Sequence, residues 1–408
     1  MSKQNEKPVA VATSTTNIET VLIVNPSSSS GSTGKNWNDF YLKIKDFFGQ
    51  NPEIAFTTKA GDGTSLAREY LKKGFKNIVA IGGDGTINEV ANGFFIFNRV
   101  EDVGGKEEDS NKKKLVKAVF AGDIHSKGNS SHNDGGGGGA TDTATNSDVT
   151  YPQPPLKQIN PDAVFGIIPS GTRNVLAKSL DLPTGDFECC KHYGTSKVQK
   201  KIDVISATVT NFPDDDNYSK KNPHSKLAPT RIFLNAAEIG VGAEIIDRSK
   251  KIRDKVKSRI VSTVSSVVST LPTYQSNLCE FSIDDGRENI LTNMTMAVIA
   301  NGRYLGGGFK AAPEANMSDG LLDIVILKNS GRFKMLEEFI SMKDGNYTSD
   351  DQDIIYIQAK KVSIKPKEKK EEEKDKKLGD ITVTIDGEPM GILPATFQVY
   401  QNALTIKM

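Results

Sequence analysis

Three short loops carry residues suited to holding phosphate, each between an apolar strand-like run and a helix-like pattern. The richest is Gly82-Gly83-Asp84-Gly85-Thr86, running on into Ile87, Asn88 and Glu89. Glycines remove the Cβ atoms that keep a phosphate away from the backbone, so N–H groups at a helix start can reach its oxygens. An aspartate there is repelled by polyphosphate unless a metal ion or a proton mediates the contact, so Asp84 is a candidate for chemistry. An ordinary turn with an N-cap is the competing reading.

The first loop in chain order runs Asn25-Pro26-Ser27-Ser28-Ser29-Ser30-Gly31-Ser32-Thr33-Gly34-Lys35 and offers hydroxyls and N–H groups to an anion. It is not a Walker loop, which needs glycine where Ser29 stands and Ser or Thr where Asn36 stands. A flexible Ser/Gly turn is the alternative. The third loop, Pro169-Ser170-Gly171-Thr172-Arg173-Asn174, leads into a helix that Asn174 is expected to cap. Together the loops form a rim at successive strand ends, where open α/β sheets bind ligands.

The elements that must carry these loops follow from the pattern of apolar residues. Strand-like runs at 21–24, 77–81 and 163–168 alternate with helix-like stretches at 37–48, 65–72, 88–97 and 174–180. That rhythm predicts βαβ units around a parallel sheet with helices on both faces. From about residue 202 strand-like runs dominate, at 232–236, 278–283, 294–301, 322–327, 362–364, 381–385 and 403–407, with one helical pattern at 244–271. We therefore expect a nucleotide-binding α/β domain over 20–183 and a mainly antiparallel second domain, a β-sandwich, over 184–393. Residues 394–408 are a candidate strand returning to the first. The polar N-terminus (1–19) is expected to be disordered, and 101–157, 212–229 and 365–380 read as solvated insertions, with 115–121 a candidate strand fragment.

A chain of 408 residues is long enough for two cores. Lys and Arg total 52 against 51 Asp and Glu, so no overall field points to nucleic acid. The cysteines Cys189, Cys190 and Cys279 form neither a disulfide framework nor a metal-ligand spacing, which suggests a reducing, cytoplasmic setting. No run approaches the ~20 apolar residues of a spanning helix, so a soluble or peripheral protein is expected.

The loops, in this order, resemble the diacylglycerol kinase catalytic family, which includes sphingosine kinases and bacterial soluble lipid kinases and is distantly related to NAD kinases. The likeness continues in Phe233-Leu234-Asn235-Ala236-Ala237-Glu238-Ile239-Gly240-Val241-Gly242-Ala243, in Ala300-Asn301-Gly302-Arg303-Tyr304-Leu305-Gly306-Gly307-Gly308, in Met317-Ser318-Asp319-Gly320-Leu321-Leu322-Asp323, and in Ile385-Asp386-Gly387-Glu388. The resemblance implies ATP-dependent phosphorylation of a lipid hydroxyl. It places ATP on Gly82, Gly83, Asp84, Gly85, Thr86, Ile87, Asn88 and Glu89 and on Gly171, Thr172 and Asn174, with Asn25 and Gly31 as first-loop candidates. Thr57 matches a further family threonine better than Thr58 does. Mg2+ is implied at the Asp319 side chain with the main-chain carbonyls of Asn316 and Leu321, an oxygen set that suits a hard cation. Glu388 is the first choice for the general base and Asp386 its neighbour in metal or substrate positioning, while sphingosine kinases point instead to Asp84. Val175 departs from bacterial members that carry aspartate there. An NAD kinase-like enzyme and a catalytically silent nucleotide-binding regulator are the rival readings, and a second copy of the chain is an expected partner.

Access to a lipid in a bilayer generates a prediction. Arg248, Lys250, Lys251, Arg253, Lys255, Lys257 and Arg259 precede the apolar-spaced Ile260, Val261, Val264, Val267, Val268 and Leu271. A basic stretch joined to an amphipathic helix suits anionic headgroups, each charge adding ~1 kcal/mol of salt-sensitive attraction. Changing Lys250, Lys251, Lys255 and Lys257 to Gln is expected to lower binding to anionic vesicles at low salt, measured by cosedimentation. Equal binding by both proteins would assign the stretch to packing instead.

Overall fold

The computed structural model describes residues 20–49, 51–97, 156–211, 230–243, 245, 274–329, 332–347, 351–367 and 380–408. The expected disordered N-terminus, residues 115–121 and nearly all of the 101–157 insertion, the 212–229 insertion, and most of 244–271 and 365–380 lie outside them.

In chain order the first part holds β1 (Thr20–Val24), α1 (Trp37–Ile44), β2 (Glu53–Phe56), α2 (Asp62–Lys72), β3 (Asn77–Gly82), α3 (Asp84–Gly93), β4 (Phe95–Phe97), β5 (Leu156–Gln158), β6 (Val164–Pro169), α4 (Val175–Ser179) and α5 (Asp186–Thr195). β1 pairs in parallel with β2 and β3, and β3 with β6. β1, β3 and β6 are buried along nearly their whole length because both faces are covered. Val21, Ile23, Ile78 and Ala80 pack with Tyr70, Val90 and Leu176 from α2, α3 and α4. The alternate residues Leu22, Val24, Val79 and Ile81 pack with Trp37 and Ile44 of α1 and with Cys189, Cys190 and Tyr193 of α5.

The second part holds β7 (Gln199–Asn211), β8 (Thr230–Phe233), β9 (Ala236–Gly240), β10 (Asn277–Ile283), β11 (Glu288–Ala300), β12 (Leu322–Lys328), α6 (Arg332–Asp344), β13 (Ile354–Ala359), β14 (Lys361–Pro366), β15 (Thr382–Ile385) and β16 (Glu388–Lys407). Its strands pair antiparallel among themselves. β16 is the splice: it pairs antiparallel with β7, β14 and β15, then runs parallel to β6 through Thr405 and Ile406. One 14-stranded sheet results.

Several elements differ from the pattern. The run at 232–236 divides into β8 and β9, because the N–H groups of Leu234, Asn235 and Ala236 turn out of the ladder toward Asp386. The helix expected over 88–97 stops at Gly93, where a Cβ would come within 2.4 Å of Ala67 in α2, and β4 follows. β5, which takes in residues 156 and 157 of the expected insertion, pairs with β4. The strand expected at 403–407 is the tail of the 20-residue β16. β2, β7, β13, α5 and α6 are additional.

A buried carboxylate fastens the turn before β12. Asp203 in β7 accepts the N–H of Gly320 at 2.7 Å and that of Asn402 at 2.6 Å, and its own N–H donates to the Met317 carbonyl. Its main-chain carbonyl accepts from Asn301 Nδ2 at 2.9 Å. Asp203→Ala orphans the buried Gly320 N–H at ~1–3 kcal/mol and removes the bond to the more exposed Asn402 N–H at ~1 kcal/mol. We expect a loss of roughly 3 kcal/mol in urea unfolding, and a loss within experimental error would show that this tie is dispensable.

Candidate active site

Side chains knit the three loops together at the carboxyl ends of β1, β3 and β6. Asn25 Nδ2 donates to Thr86 Oγ1 at 2.8 Å, linking the first loop to the second. Thr33 Oγ1 lies 2.9 Å from Ser170 Oγ and accepts from Ser28 Oγ at 2.7 Å, linking the first to the third. The second and third touch backbone to backbone: a Cβ on Gly171 would fall 2.7 Å from the Gly83 Cα. Asp84 completes the set, its Oδ1 accepting from Val175 N–H at 2.8 Å and Leu176 N–H at 3.3 Å. Burial pushes the Asp84 carboxyl up, opposed by those two N–H groups.

Asp84, not Asn174, caps α4. Asn174 holds the N-cap position with a left-handed backbone (φ 49°) and makes no side-chain cap bond, whereas capping oxygens ordinarily come from an extended residue. Its side chain closes its own loop, accepting from Gly171 N–H at 3.0 Å and donating to the carbonyls of Pro169 and Thr184.

The Asp-Gly-Glu unit is a two-residue hairpin turn between β15 and β16, with Ile385 opposite Glu388. Asp386 (φ 45°) and Gly387 (φ 80°) both adopt the left-handed conformation that such a turn requires. Asp386 Oδ1 accepts the N–H groups of Asn235 and Ala236, each at 3.0 Å, and Oδ2 accepts Leu234 N–H at 3.0 Å and Asn88 Nδ2 at 2.8 Å. Burial pushes this carboxyl up, against four N–H donors that favour its ionised form. The Glu388 carboxyl approaches the glycine loop, with Oε1 3.6 Å from where a Cβ on Gly85 would stand.

α3 carries the second docking contact. Asn92 acts like a strand edge, its Nδ2 donating to the Ile232 carbonyl at 2.9 Å and its Oδ1 accepting Ile232 N–H at 2.9 Å. Arg231, 7% exposed, donates through Nη2 to Asn88 Oδ1 at 3.2 Å, and its Nη1 makes no hydrogen bond among the described residues. Burial draws the Arg231 guanidinium down, opposed by the charges of Glu388, Glu89 and Asp386. Glu238 of β9 is 8% exposed, and burial pushes it up to about 7, with Arg173 opposing and Asp386 adding to the rise.

The expected metal ligands sit on a separate turn. Asp319 Oδ1 accepts Leu321 N–H at 3.0 Å, and the Asn316 carbonyl accepts Ser318 N–H at 2.8 Å. Asp319 adds to the rise in the carboxyls of Asp203 and Asp323, each driven mainly by burial, so three carboxyl groups gather near this turn. Among the described residues, Glu338, Asp351 and Asp353 form a side-chain cluster at metal-binding spacing, but Lys334 pairs with Glu338 and Asp353.

Residues 19–104 match the model of the diacylglycerol kinase catalytic domain, and residues 236–408 match that of the YegS C-terminal NAD kinase beta sandwich-like domain. Both parts of the chain thus resemble the diacylglycerol kinases and YegS-like lipid kinases. A diacylglycerol kinase of Bacillus subtilis (strain 168) is 22% identical over 378 residues, covering 92% of this chain and 91% of that one. A diacylglycerol kinase of Mycobacterium tuberculosis (strain H37Rv) is 26% identical over 246 residues, 60% of this chain and 69% of its own length. Among solved structures, a diacylglycerol kinase from Bacillus anthracis (strain Sterne) shares 19% identity at a TM-score of 0.55, covering 96% of this chain and 97% of that one. A second structure from that organism reaches 0.60 at 21% identity.

In this chain Asn25, the residues of the glycine loop, Gly171, Asn174, Asp386 and Glu388 come together. Thr57 is buried at the end of β2, where its N–H donates to the Val24 carbonyl, while Thr58 turns to Asp62. Ile87 packs in the core, and Glu89 accepts the N–H groups of Gly61 and Gly63 at the start of α2. Gly31 (φ 85°) starts a helical turn, and Thr172 is exposed. The sequence motifs included Thr33, Ser170 and Glu238 without assigning them individual roles, and Asn92 and Arg231 were missed. The spacing of Asn88 and Asn92, one helical turn apart, was a usable signal.

The raised Glu238 carboxyl makes stability depend on pH. A folded-state value of about 7 against ~4.3 when unfolded means that the folded protein holds a proton which the unfolded chain releases over that window. Stability is therefore lost as pH rises from ~4.3 through about 7. Relative to Glu238→Gln, the wild type should lose roughly 2–4 kcal/mol across it, at ~1.4 kcal/mol per unit. Urea midpoints at pH 5 and pH 8 measure this, and parallel pH curves would contradict the burial argument.

Proposed function

We propose that the protein is an ATP-dependent lipid kinase that transfers the γ-phosphoryl group to the hydroxyl of a diacylglycerol-like membrane lipid. The observation that carries this reading is the 2.8 Å bond from Asn88 Nδ2 to Asp386, which holds the Asp-Gly-Glu hairpin against the glycine loop. In this reading residues 20–183 bind the nucleotide and 184–393 supply the acceptor side, with 394–408 returning to the first sheet. α5 packs on the nucleotide side.

The rim fits a polyphosphate. Gly83 and Gly171 meet without side chains between them, and Gly85 leaves open the space facing Glu388. Asn25 and Thr86 fix one loop against another, while Asp84 keeps α4 in register with the rim. Phosphoryl transfer depends chiefly on positioning and charge neutralisation, so little covalent chemistry is required of the protein. Glu388 accepts the proton of the lipid hydroxyl as its oxygen attacks phosphorus, and Asp386, held by four N–H groups, keeps Glu388 in place. The oxygen-only set of Asn316, Asp319 and Leu321 and the carboxyl groups gathered around it suit Mg2+, which when bound neutralises negative charge. Residues 248–271 supply the membrane contact. No helix among the described residues is long and apolar enough to cross a membrane.

Glu388→Gln and Asp84→Asn test the assignment, since asparagine keeps an acceptor for Val175 and Leu176 and removes only the charge. Each is expected to stay folded by circular dichroism and to lose at least ~10²-fold in turnover of radiolabelled ATP against total lipid. Near wild-type turnover by both variants would overturn it, and phosphorylation of NAD but no lipid would assign the soluble-acceptor reading.

A further inference from the structure

Side chains along β9 alternate between two surroundings. Ala237 and Ile239 enter the core between the antiparallel strands, with Phe281, Ile299 and Ile385. Ala236 faces the other way, into an apolar cluster with Met296 and Val298 of β11 and with Leu305. Glu238, by the same period of two, shares that second face, directly opposite Val298 and Thr384 on the neighbouring strands. A carboxyl at such a place costs several kcal/mol unless a partner satisfies it. Among the described residues no side-chain or backbone donor hydrogen-bonds to it.

Its surroundings tie it to the reaction centre. The charge of Arg173 in the third loop opposes the rise of both Asp84 and Glu238. Arg173 lies over Gly306, with Nη1 3.1 Å from where a Cβ would stand there. Gly242 leaves the room that Glu238 occupies, since a Cβ at that position would fall 3.2 Å from Glu238 Oε2 and 2.6 Å from Met296 Cε. Asp386 is the other charged group acting on Glu238, and the facing residues Val298 and Thr384 do not titrate.

We propose that Glu238 determines acceptor specificity: opposite Thr384 on the strand that leads into the Asp386–Glu388 hairpin, its carboxyl hydrogen-bonds the uncharged headgroup of a lipid alcohol beside the hydroxyl that is phosphorylated. This rests on the lipid-kinase reading. Burial favours the neutral carboxyl, which both donates to and accepts from a hydroxyl or ester oxygen. The nearby Arg173 disfavours an ammonium group, so an uncharged diacylglycerol is preferred over an amine-bearing sphingoid base.

The test uses the full chain with ATP and Mg2+, dioctanoylglycerol as the uncharged acceptor and a short-chain sphingosine as the amine. Glu238→Ala is expected to raise KM for dioctanoylglycerol about tenfold, the worth of one buried hydrogen bond, with KM for ATP changed by less than about twofold. Glu238→Gln, similar in size and always neutral, should bring the acceptor KM back to within about threefold of wild type, and the preference for the uncharged lipid should narrow in the Ala variant. An acceptor KM unmoved in Glu238→Ala, or KM values for ATP and lipid that rise together, would overturn the proposal. Should Glu238→Ala fail to fold, Glu238→Asp withdraws the carboxyl by one methylene and must show the same rise in acceptor KM. If the wild type turns over neither lipid, the kinase reading fails separately. Equilibrium dialysis of radiolabelled dioctanoylglycerol then decides: weaker binding by Glu238→Ala upholds the proposal, and equal binding ends it.

Discussion

The geometry of the candidate site depends on one carboxylate. Asp386 gathers four N–H groups from two directions, three from the break between β8 and β9 and one from Asn88 at the second turn of α3. The first three belong to the antiparallel part of the sheet, and the fourth to a helix that packs on its parallel part. A buried anion is tolerated only when so fully satisfied, and the same bonds that stabilise it fix the helix behind the glycine loop against the hairpin that presents Glu388. The hairpin obeys a further constraint of its own. Both turn residues need left-handed backbone, which selects an Asp-Gly pair, and the aspartate side chain then serves as the anchor.

Around that anchor the centre is a closely spaced set of opposite charges in a largely dry setting. Arg231 and Arg173 stand on different elements: Arg231 lies in the field of Glu388, Glu89 and Asp386, and Arg173 opposes the rise that burial imposes on Asp84 and Glu238. Low dielectric surroundings strengthen every such interaction, which is what stabilising the charge of a transferring phosphoryl group requires. The loops supply shape and the buried charges supply field. Asp84 contributes to both, because its oxygen at the start of α4 fixes the distance between two of the loops.

Features with local causes were legible in the sequence. The glycine loops could be read because the need for a missing Cβ belongs to the residue itself, and the Asp-Gly turn because its backbone requirement is equally local. β1, β3 and β6 announced themselves as continuous apolar runs. What could not be read were properties shared between distant segments. Nothing near residue 386 in the chain says that its partners are Asn88 and the 234–236 backbone. Glu238 looks like an ordinary solvent-facing strand residue until β11 and β15 are placed on either side of it. Asn174 resembled an N-cap because its type and place fit; the left-handed backbone that redirects its side chain is invisible in a residue name. β7 begins with Gln199, Lys200 and Lys201, and those polar residues disguise a strand whose centre is buried.

β16 has a consequence for how the chain reaches this state. It begins at Glu388, within the candidate site, and ends alongside β6, so one strand both finishes the centre and closes the sheet. The Asn88–Asp386 bond spans 298 positions, and contacts of such sequence separation form only after the entropy of a long loop has been lost. A chain in which β16 has yet to dock therefore exposes the free edges of β6 and β7, ladders that invite pairing with other chains. Docking of β16, rather than the early appearance of the glycine loops, is the event that joins the two parts of the sheet.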